Sequence, residues 1–372
     1  MEPHKIKVIV IGGGLAGLVS SILLAKKGVE VHLIEKKAYP FHRVCGEYLS
    51  NEALEFLKKH GLIPERNDIP QIKTFELSDT KGNISRIPLD LGGFGISRYI
   101  LDEWMYQKAL QDGVQIRTST QVNEIEYLKK EDQFVLTLSD HSSLRADFVI
   151  GAHGKRSKLD KRLKREFIEK RSPYLGVKYH IRTEFDRDCV ALYNFHGGYC
   201  GLNAIEDGKF NLCYLGDRNQ LRQYGSVEAM ENEVLFKNPI LKKIWESSEF
   251  IFEKPEVITE INFEPKSPVE NHVLMAGDSA GLITPLCGNG MAMAIHAGKL
   301  AAEAIIYGKS RLEVEEMYRS NWKDEFEKRL WVGRQAQKLF GSGKSSGFAR
   351  KLIQTFPPLA KIIIRNTHGK PF

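Results

Sequence analysis

Apolar positions fall along this chain in two rhythms, and the switch between them marks its organisation. Val8 to Ile11 is an unbroken apolar run closed by Gly12-Gly13-Gly14. Leu15 to Lys27 then carries apolar residues at helical spacing until Gly28 stops it, and Val29 to Ile34 is a second strand-like run. Strand, turn, helix and strand within about 30 residues make a βαβ unit. Asn51 to His60 reads as a polar helix, Ile72 to Pro88 as hairpin strands around Lys81-Gly82-Asn83, and Arg98 to Asp112 as a helix. Val114 to Ile125, Phe134 to Leu138 and Ala146 to Ile150 read as strands. From Tyr174 to about Phe263 the alternation favours β-structure, with Asp207-Gly208 as a hairpin turn and Val227 to Trp245 as an interrupting helix. Val273 to Met275 is again a strand, followed by Gly277-Asp278 and a small-residue helix through Ile306. Tyr318, Trp322, Phe326 and Leu330 recur at four-residue steps, which predicts a long amphipathic helix over Glu313 to Phe340. Gly341 to Gly347 reads as a Gly/Ser linker, and Phe348 to Phe372 as an apolar and basic tail broken by Pro357-Pro358. There are no internal repeats.

Composition narrows this picture without changing it. At roughly 100–200 residues per domain, 372 residues predict two domains, or one large domain with an inserted lobe. A chain 42% hydrophobic and 27% charged is ordinary globular material. No apolar run approaches the roughly 18 residues of a membrane span, and the charged N-terminus lacks signal-peptide organisation. Five widely spaced cysteines, at 45, 189, 200, 213 and 287, argue against a disulfide framework and for a reducing, cytoplasmic setting. No metal site is expected. The net charge of +7 suits an anionic cofactor, an acidic carrier or a lipid headgroup surface, and is too small and dispersed to argue for nucleic acid. Lys155 to Arg171 holds nine basic and three acidic residues, read either as a solvated helix or as an attractor for NADPH phosphate or an acidic carrier protein.

The candidate chemistry begins at Gly12-x-Gly14-x-x-Gly17. The first glycine permits a tight turn, the second lets the backbone approach a pyrophosphate, and the third lets helix and strand pack closely. The helix N-terminus offers free N–H groups to phosphates. Glu35, at the end of the second strand, is placed to accept hydrogen bonds from a ribose diol. Far downstream, residues 273–291 deliver Asp278 beside Gly277, and Pro285 to Gly290 forms a glycine-rich turn at a helix start. A simple NAD domain has no use for such a segment.

This second segment resembles the Gly-Asp motif of FAD-dependent oxidoreductases, in which the Asp holds the ribityl chain and the following helix N-terminus stabilises negative charge on reduced flavin. Phe148 to Ser157 resembles the same group's Gly-Ala-Asp-Gly-x-x-Ser motif, with His153 where Asp is usual. Three motifs in the right order, with Arg43 after Glu35 and the Arg98–Asp102 helix between, make the chain similar to the group holding p-hydroxybenzoate hydroxylase-like monooxygenases, flavin halogenases and geranylgeranyl reductases. Arg43-Val-Cys45-Gly46-Glu47 leans toward the geranylgeranyl reductase-like branch, where an Arg…Cys-Gly segment lies by the flavin ring. Leu15 stands where that branch has Pro, and Tyr199-Cys200-Gly201 lacks the Trp of its Tyr-x-Trp segment. The halogenase Trp-x-Trp motif is absent, since Trp104, Trp245, Trp322 and Trp331 are isolated.

The resemblance implies an α/β fold: a Rossmann-like three-layer FAD-binding domain built from residues 1–71, 97–173 and 265–310. An antiparallel substrate lobe is inserted as 72–96 and 174–264, and residues 311–372 form a C-terminal helical segment. It implies that Gly12, Gly14, Leu15, Ala16, Gly17, Glu35, Lys36, Arg43, Arg98, Val122, Asp278, Gly288, Asn289, Gly290 and Met291 hold FAD. Cys45 is the candidate catalytic residue, as a redox or substrate-facing thiol or else a small residue packed by the flavin. His180, His196 and His296 are expected to be structural. Tyr179, Tyr193, Phe195, Tyr199 and Tyr214 line a substrate cavity or form plain core. The expected activity is that of a reductase or dehydrogenase, acting by flavin hydride transfer on an apolar prenyl, acyl or polyketide-like substrate. The alternatives are an FAD monooxygenase hydroxylating an aromatic or polyketide-like substrate, and a flavin-binding protein without turnover. NAD(P)H, an electron-donor protein and an acyl carrier are candidate partners. His153 supplies no fixed negative charge, which predicts slow reduction by free NADPH. The tail is read either as a packed helix pair or as a cover touching anionic membrane, so membrane contact is peripheral at most.

Overall fold

In a computed structural model, residues 5–170, 172–337, 343–355 and 365–372 are described. The first βαβ unit forms as the pattern predicts. Strand Lys7–Ile11 lies centrally in a six-stranded sheet, with Val8, Ile9 and Val10 fully buried. The sheet runs Val269–Glu270, Val273–Met275, Phe148–Gly151, Lys7–Ile11, Glu30–Ile34 and Gln115–Arg117, parallel except for the first pair. Parallel strands covered on both faces read as near-continuous apolar runs, which is why they are visible in the sequence. Helices Leu15–Ala25 and Gly290–Tyr307 pack together on this sheet. A three-stranded antiparallel sheet of Val122–Leu128, Gln133–Leu138 and Ser143–Ala146 joins the same core.

The inserted lobe is one long mixed sheet. Its order is Glu249–Phe250, Tyr174–Arg182, Phe210–Asp217, Gly198–Ala204, Cys189–Phe195, Gln71–Ser78, Ile84–Gly95 and Tyr48–Ser50, with Glu256–Ile261 also paired to Tyr174–Arg182. The sheet is antiparallel except where Cys189–Phe195 runs parallel to Gln71–Ser78. The Asp207-Gly208 turn forms with both residues at positive φ, 58° and 67°. Helices Arg218–Tyr224, Val227–Glu233 and Pro239–Ser247 cover one face, and the other is turned toward the cofactor domain.

Four expectations are corrected. Val114 to Ile125 is two strands in two sheets: Ser119 adopts φ 52°, breaks the run and sends the chain out of the parallel sheet. Val227 to Trp245 is two helices and a single 3-10 turn, because Asn238 caps a new helix through the Ile240 N–H with Pro239 in its first turn. The helix after Ile306 starts at Arg311, capped by Ser310, and widens to π-geometry over Lys323–Glu327 before continuing to Gln337. Gly343 belongs to helix Gly343–Thr355 rather than to a linker, and Arg350 ties that helix to Asp79 of the lobe at 3.2 Å. Residues 338–342 and the Pro357-Pro358 break lie outside the described residues.

Candidate flavin and substrate site

The glycine turn is built by close contact. Gly12 has φ 103°, and a Cβ there would sit 2.3 Å from the Ala152 carbonyl oxygen; a Cβ on Gly17 would meet the Gly12 carbonyl oxygen at 1.9 Å. Helix Leu15–Ala25 therefore starts directly against the sheet with Gly14 as its N-cap. No side chain caps its first N–H groups, and no acidic residue occupies its first turn. Leu15 and Ala16 are buried, while Lys36 is exposed behind Glu35.

Glu35 is fixed from three sides. It accepts from the Gly13 N–H at 2.8 Å, from the Lys37 N–H at 3.0 Å and from Arg43 at 3.4 Å. Arg43 Nε also donates to Asp102 at 3.0 Å, and Arg98 donates to both Asp102 oxygens at 2.6 and 2.7 Å. Two guanidinium groups thus face two carboxylates beside the glycine turn, with Arg98 Nη2 next to Gly14. Val122 is buried at the head of its strand, two residues after Thr120, whose N–H donates to the Glu35 carbonyl at 3.0 Å.

The second half approaches from the other motifs. Ser279 Oγ accepts from the Gly154 N–H at 2.9 Å, tying the Gly-Asp segment to the Phe148–Ser157 segment. Lys266 donates to the Asp278 carbonyl at 2.7 Å and the Lys155 carbonyl at 2.9 Å. Burial pushes the Lys266 ammonium down to about 8, against the pull of the Asp278 carboxylate. Gly288 turns at φ 64° beside Tyr48, and Asn289, Gly290 and Met291 begin the long helix, which also has no side-chain cap. Asn289 is fully buried, and its Oδ1 has no hydrogen-bond partner. Two uncapped helix N-termini, a glycine cradle and an orphaned buried acceptor fit a large anionic dinucleotide carrying N–H donors.

Cys45 lies where the first half of the site meets the lobe. The Glu47 N–H points at its sulfur at 3.5 Å, and Arg98 and the lobe residue Cys213 are its neighbours. All five cysteines are free thiols. The sequence reading gave Glu47 no role, yet it is the most connected residue here. It is fully buried at φ 51° and accepts from Arg98 N at 2.8 Å, Lys178 Nζ at 2.5 Å and His180 Nε2 at 2.7 Å. Burial alone would raise its carboxyl; Lys178 and the His180 hydrogen bond outweigh this and bring it down to about 2. His180 thus helps to hold the loop that carries Cys45, through its hydrogen bond to Glu47. His196 binds Gln220 through its carbonyl, and His296 stacks on Phe372.

A buried apolar strip gathers Leu77, Leu192, Tyr199, Leu215, Ile261 and Leu282. Leu282 comes from the Gly-Asp segment, so the strip runs from the lobe sheet onto the cofactor domain. Of the five aromatic residues named from the sequence, only Tyr199 lies here; Tyr179, Tyr193, Phe195 and Tyr214 pack in the core beneath the lobe helices. His153 binds Asp160 at 3.1 Å, and Asp160 also accepts from Arg165 at 2.9 Å. A fixed carboxylate therefore stands one hydrogen bond from His153, where the sequence offered none. Within the basic run, Lys158–Arg162 is a short helix and Glu166–Ile168 a 3-10 turn, with Arg165 buried rather than solvated.

A fold of this kind, with paired dinucleotide motifs and an inserted β-lobe, defines an FAD-dependent oxidoreductase. The family model described as FAD binding domain matches residues 5–306, and the chain belongs to that family. It is 30% identical over 340 residues to a digeranylgeranylglycerophospholipid reductase of Methanosarcina acetivorans, covering 85% of this chain and 80% of the relative. It is 25% identical over 321 residues to a geranylgeranyl diphosphate reductase of Synechocystis, covering 81% and 75%. Among solved structures, the flavin-dependent halogenase CmlS superposes with a TM-score of 0.77 at 19% identity, covering 99% of this chain and 74% of that one, a likeness of fold. Among the described residues no helix is long and apolar enough to cross a membrane.

Proposed function

We propose that the protein is a reductase that saturates carbon–carbon double bonds of a prenyl-like or similarly apolar chain. The observation that carries this reading is the buried apolar strip joining Leu192, Tyr199 and Leu215 of the lobe to Leu282 of the Gly-Asp segment. The names of the reductase relatives point the same way. Gly12 to Gly17, Glu35, Arg43 and Asp278 would hold FAD, which supplies two-electron hydride chemistry when bound. The chain's own residues do the rest. The strip orients an apolar chain by burial at about 25 cal/mol per Å². Glu47 and Lys178 fix the Arg43–Glu47 loop. Cys45, set between Arg98 and Cys213 of the lobe, would shape the approach to the flavin.

The test is anaerobic. Photoreduced enzyme is mixed with a geranylgeranyl lipid, and flavin reoxidation is followed with product mass. Gain of two hydrogens per double bond, without O₂, is the expected result. Reoxidation that needs O₂ and inserts oxygen into an aromatic substrate would establish the monooxygenase instead. In the same assay free NADPH and a reduced carrier protein are compared as electron donors by stopped-flow reduction, since Asp160 beside His153 removes the sequence's ground for disfavouring NADPH. The substrate reaches the site from a membrane surface in this reading. Helix Gly343–Thr355 leaves Phe348 60% exposed beside exposed Lys351. With so few cations, at about 1 kcal/mol each, attachment is weak and reversible. Co-sedimentation with anionic vesicles, with and without residues 348–372, measures it, and equal negligible binding by both forms removes it.

A further inference from the structure

The chain's last residues touch the cofactor half of the site, through a buried carboxylate that the proposed reaction does not use. Glu52 is fully buried. Its carboxylate accepts from Asn289 Nδ2 at 3.3 Å on each oxygen, from Arg329 Nη1 at 3.4 Å and from the Gly369 N–H. Asn289 Nδ2 also donates to the Thr367 carbonyl at 3.0 Å. Thr367 and Arg329 are themselves buried. The tail is anchored beyond this point: the Phe372 ring stacks on His296 at 3.9 Å, and the Phe372 N–H donates to the Glu52 carbonyl at 3.3 Å.

These contacts fix which way the Asn289 carboxamide points. A carboxylate and a main-chain carbonyl only accept, so the amino end of Asn289 must face them. Its oxygen is turned away, is buried and has no partner. Asn289 also heads helix Gly290–Tyr307, whose first N–H groups no side chain caps. One acceptor beside a row of donors matches the edge of a cyclic imide, which presents an N–H between two carbonyls, and the pyrimidine ring of a flavin has such an edge.

We propose that the C-terminal residues are part of the flavin site: Glu52 and the Thr367 carbonyl, held in place by Arg329 and Gly369, position Asn289 so that its Oδ1 is a fixed acceptor for a ring N–H. Glu52, Thr367 and Gly369 are positioning residues that act through Asn289. The proposal rests on FAD occupancy and not on the identity of the substrate, since FAD binding is measured without substrate.

The experiment is a titration of apoprotein with FAD, read by flavin fluorescence, on the full chain and four kinds of variant. These are truncation after Asn366, Gly369→Ala, Asn289→Ala, and each of the first two combined with Asn289→Ala. Gly369→Ala keeps the whole tail in place, but its Cβ would fall 2.1 Å from Arg329 Nη2 and so displaces the Gly369–Glu52–Arg329 contact. Truncation and Gly369→Ala are each expected to raise the FAD dissociation constant about ten-fold, the loss of one well-placed hydrogen bond. In the Asn289→Ala background they should add less than about two-fold, because residues acting through one group are not additive. Absorbance titration of the bound oxidised flavin at alkaline pH gives a second reading: the ring N–H should ionise at lower pH in Gly369→Ala than in the native protein. An unchanged dissociation constant in Gly369→Ala, or full additivity with Asn289→Ala, overturns the proposal. If the truncated chain does not fold, Gly369→Ala alone decides.

Discussion

The two faces of the lobe sheet are both rich in buried polar groups, and they spend them differently. Strand Tyr174–Arg182 supplies both sets by simple alternation. Val177, Tyr179 and Ile181 face the lobe helices, and Lys178 and His180 face the cofactor domain. On the helix side the hydroxyls of Tyr179 and Tyr214 converge on Glu231 at 2.9 and 3.0 Å, so that face closes on itself. On the other side every named polar group reaches into the loop that carries Cys45. Lys178 and His180 bind the Glu47 carboxylate, and Asn211 Nδ2 binds the Cys45 and Gly46 carbonyls at 3.2 and 2.9 Å. A polar cluster that satisfies only its own domain builds the lobe; one that crosses to a loop of the other domain builds a site.

Lys178→Met should break that distinction most severely. It leaves Glu47 buried without its main countercharge, and removing one partner of such a pair costs about 3–5 kcal/mol. Urea unfolding should show that loss, and the double variant with Glu47→Gln should recover part of it. If Lys178→Met is within error of the native protein, the crossing pair is not holding the loop. The helix-side cluster should respond to pH instead. Burial pushes the Glu231 carboxyl up to about 7, against hydrogen bonds from Tyr179 and Tyr214. A raised carboxyl favours the protonated folded state, so its stability contribution is complete below the unfolded value and is lost as pH rises toward 7. Glu231→Gln should therefore match the native protein near pH 4 and gain on it by up to about 3 kcal/mol above pH 7. Parallel stability curves for the two proteins would show that Glu231 titrates normally. Asp278→Ala, on the cofactor side, should leave unfolding nearly unchanged and weaken FAD retention by about 1.5–3 kcal/mol, the value of a hydrogen bond to a charged group. Undiminished flavin after gel filtration would remove Asp278 from the cofactor's ligands.

How much of this was legible follows from how far apart the partners lie. The glycine turn, the strands around it and Glu35 are local: a buried parallel strand must be apolar, and a turn pressed against a neighbouring carbonyl must be glycine. Asp102 lies one helical turn from Arg98, close enough for the pairing to be visible in the pattern. Glu47 stands in the segment Arg43-Val-Cys45-Gly46-Glu47 with no role visible in the local pattern, because its partner Lys178 is 131 residues away. The available signal is the pair Lys178 and His180, two residues apart and so on one face of a strand read as alternating. The same limit explains Glu52 and Asn289, which are 237 residues apart and joined through the C-terminus. The first residues of helix Gly343–Thr355 read as a linker for a related reason, since a Gly/Ser composition says nothing of the lobe surface the helix packs on.

The smallest effect expected is at Cys45, and it separates site from packing within the crossing cluster. The thiol sits on the loop that Lys178, His180 and Asn211 hold, so the loop's position does not depend on it. Cys45→Ser keeps an acceptor for the Glu47 N–H, with a shorter reach and a smaller, harder atom. Unfolding and FAD affinity should stay within error of the native protein. Turnover should change by about ten-fold or less, which is at most about 1.4 kcal/mol in the barrier. Because the residue stands between Arg98 and Cys213 of the lobe, the change should fall in kcat and vary with the chain length of the substrate. A loss of flavin along with activity would place Cys45 among the groups that hold the loop together. Unchanged kinetics with every substrate tested would make the thiol a packing residue, and Glu47 and Lys178 would then be the part of the cluster that serves the reaction.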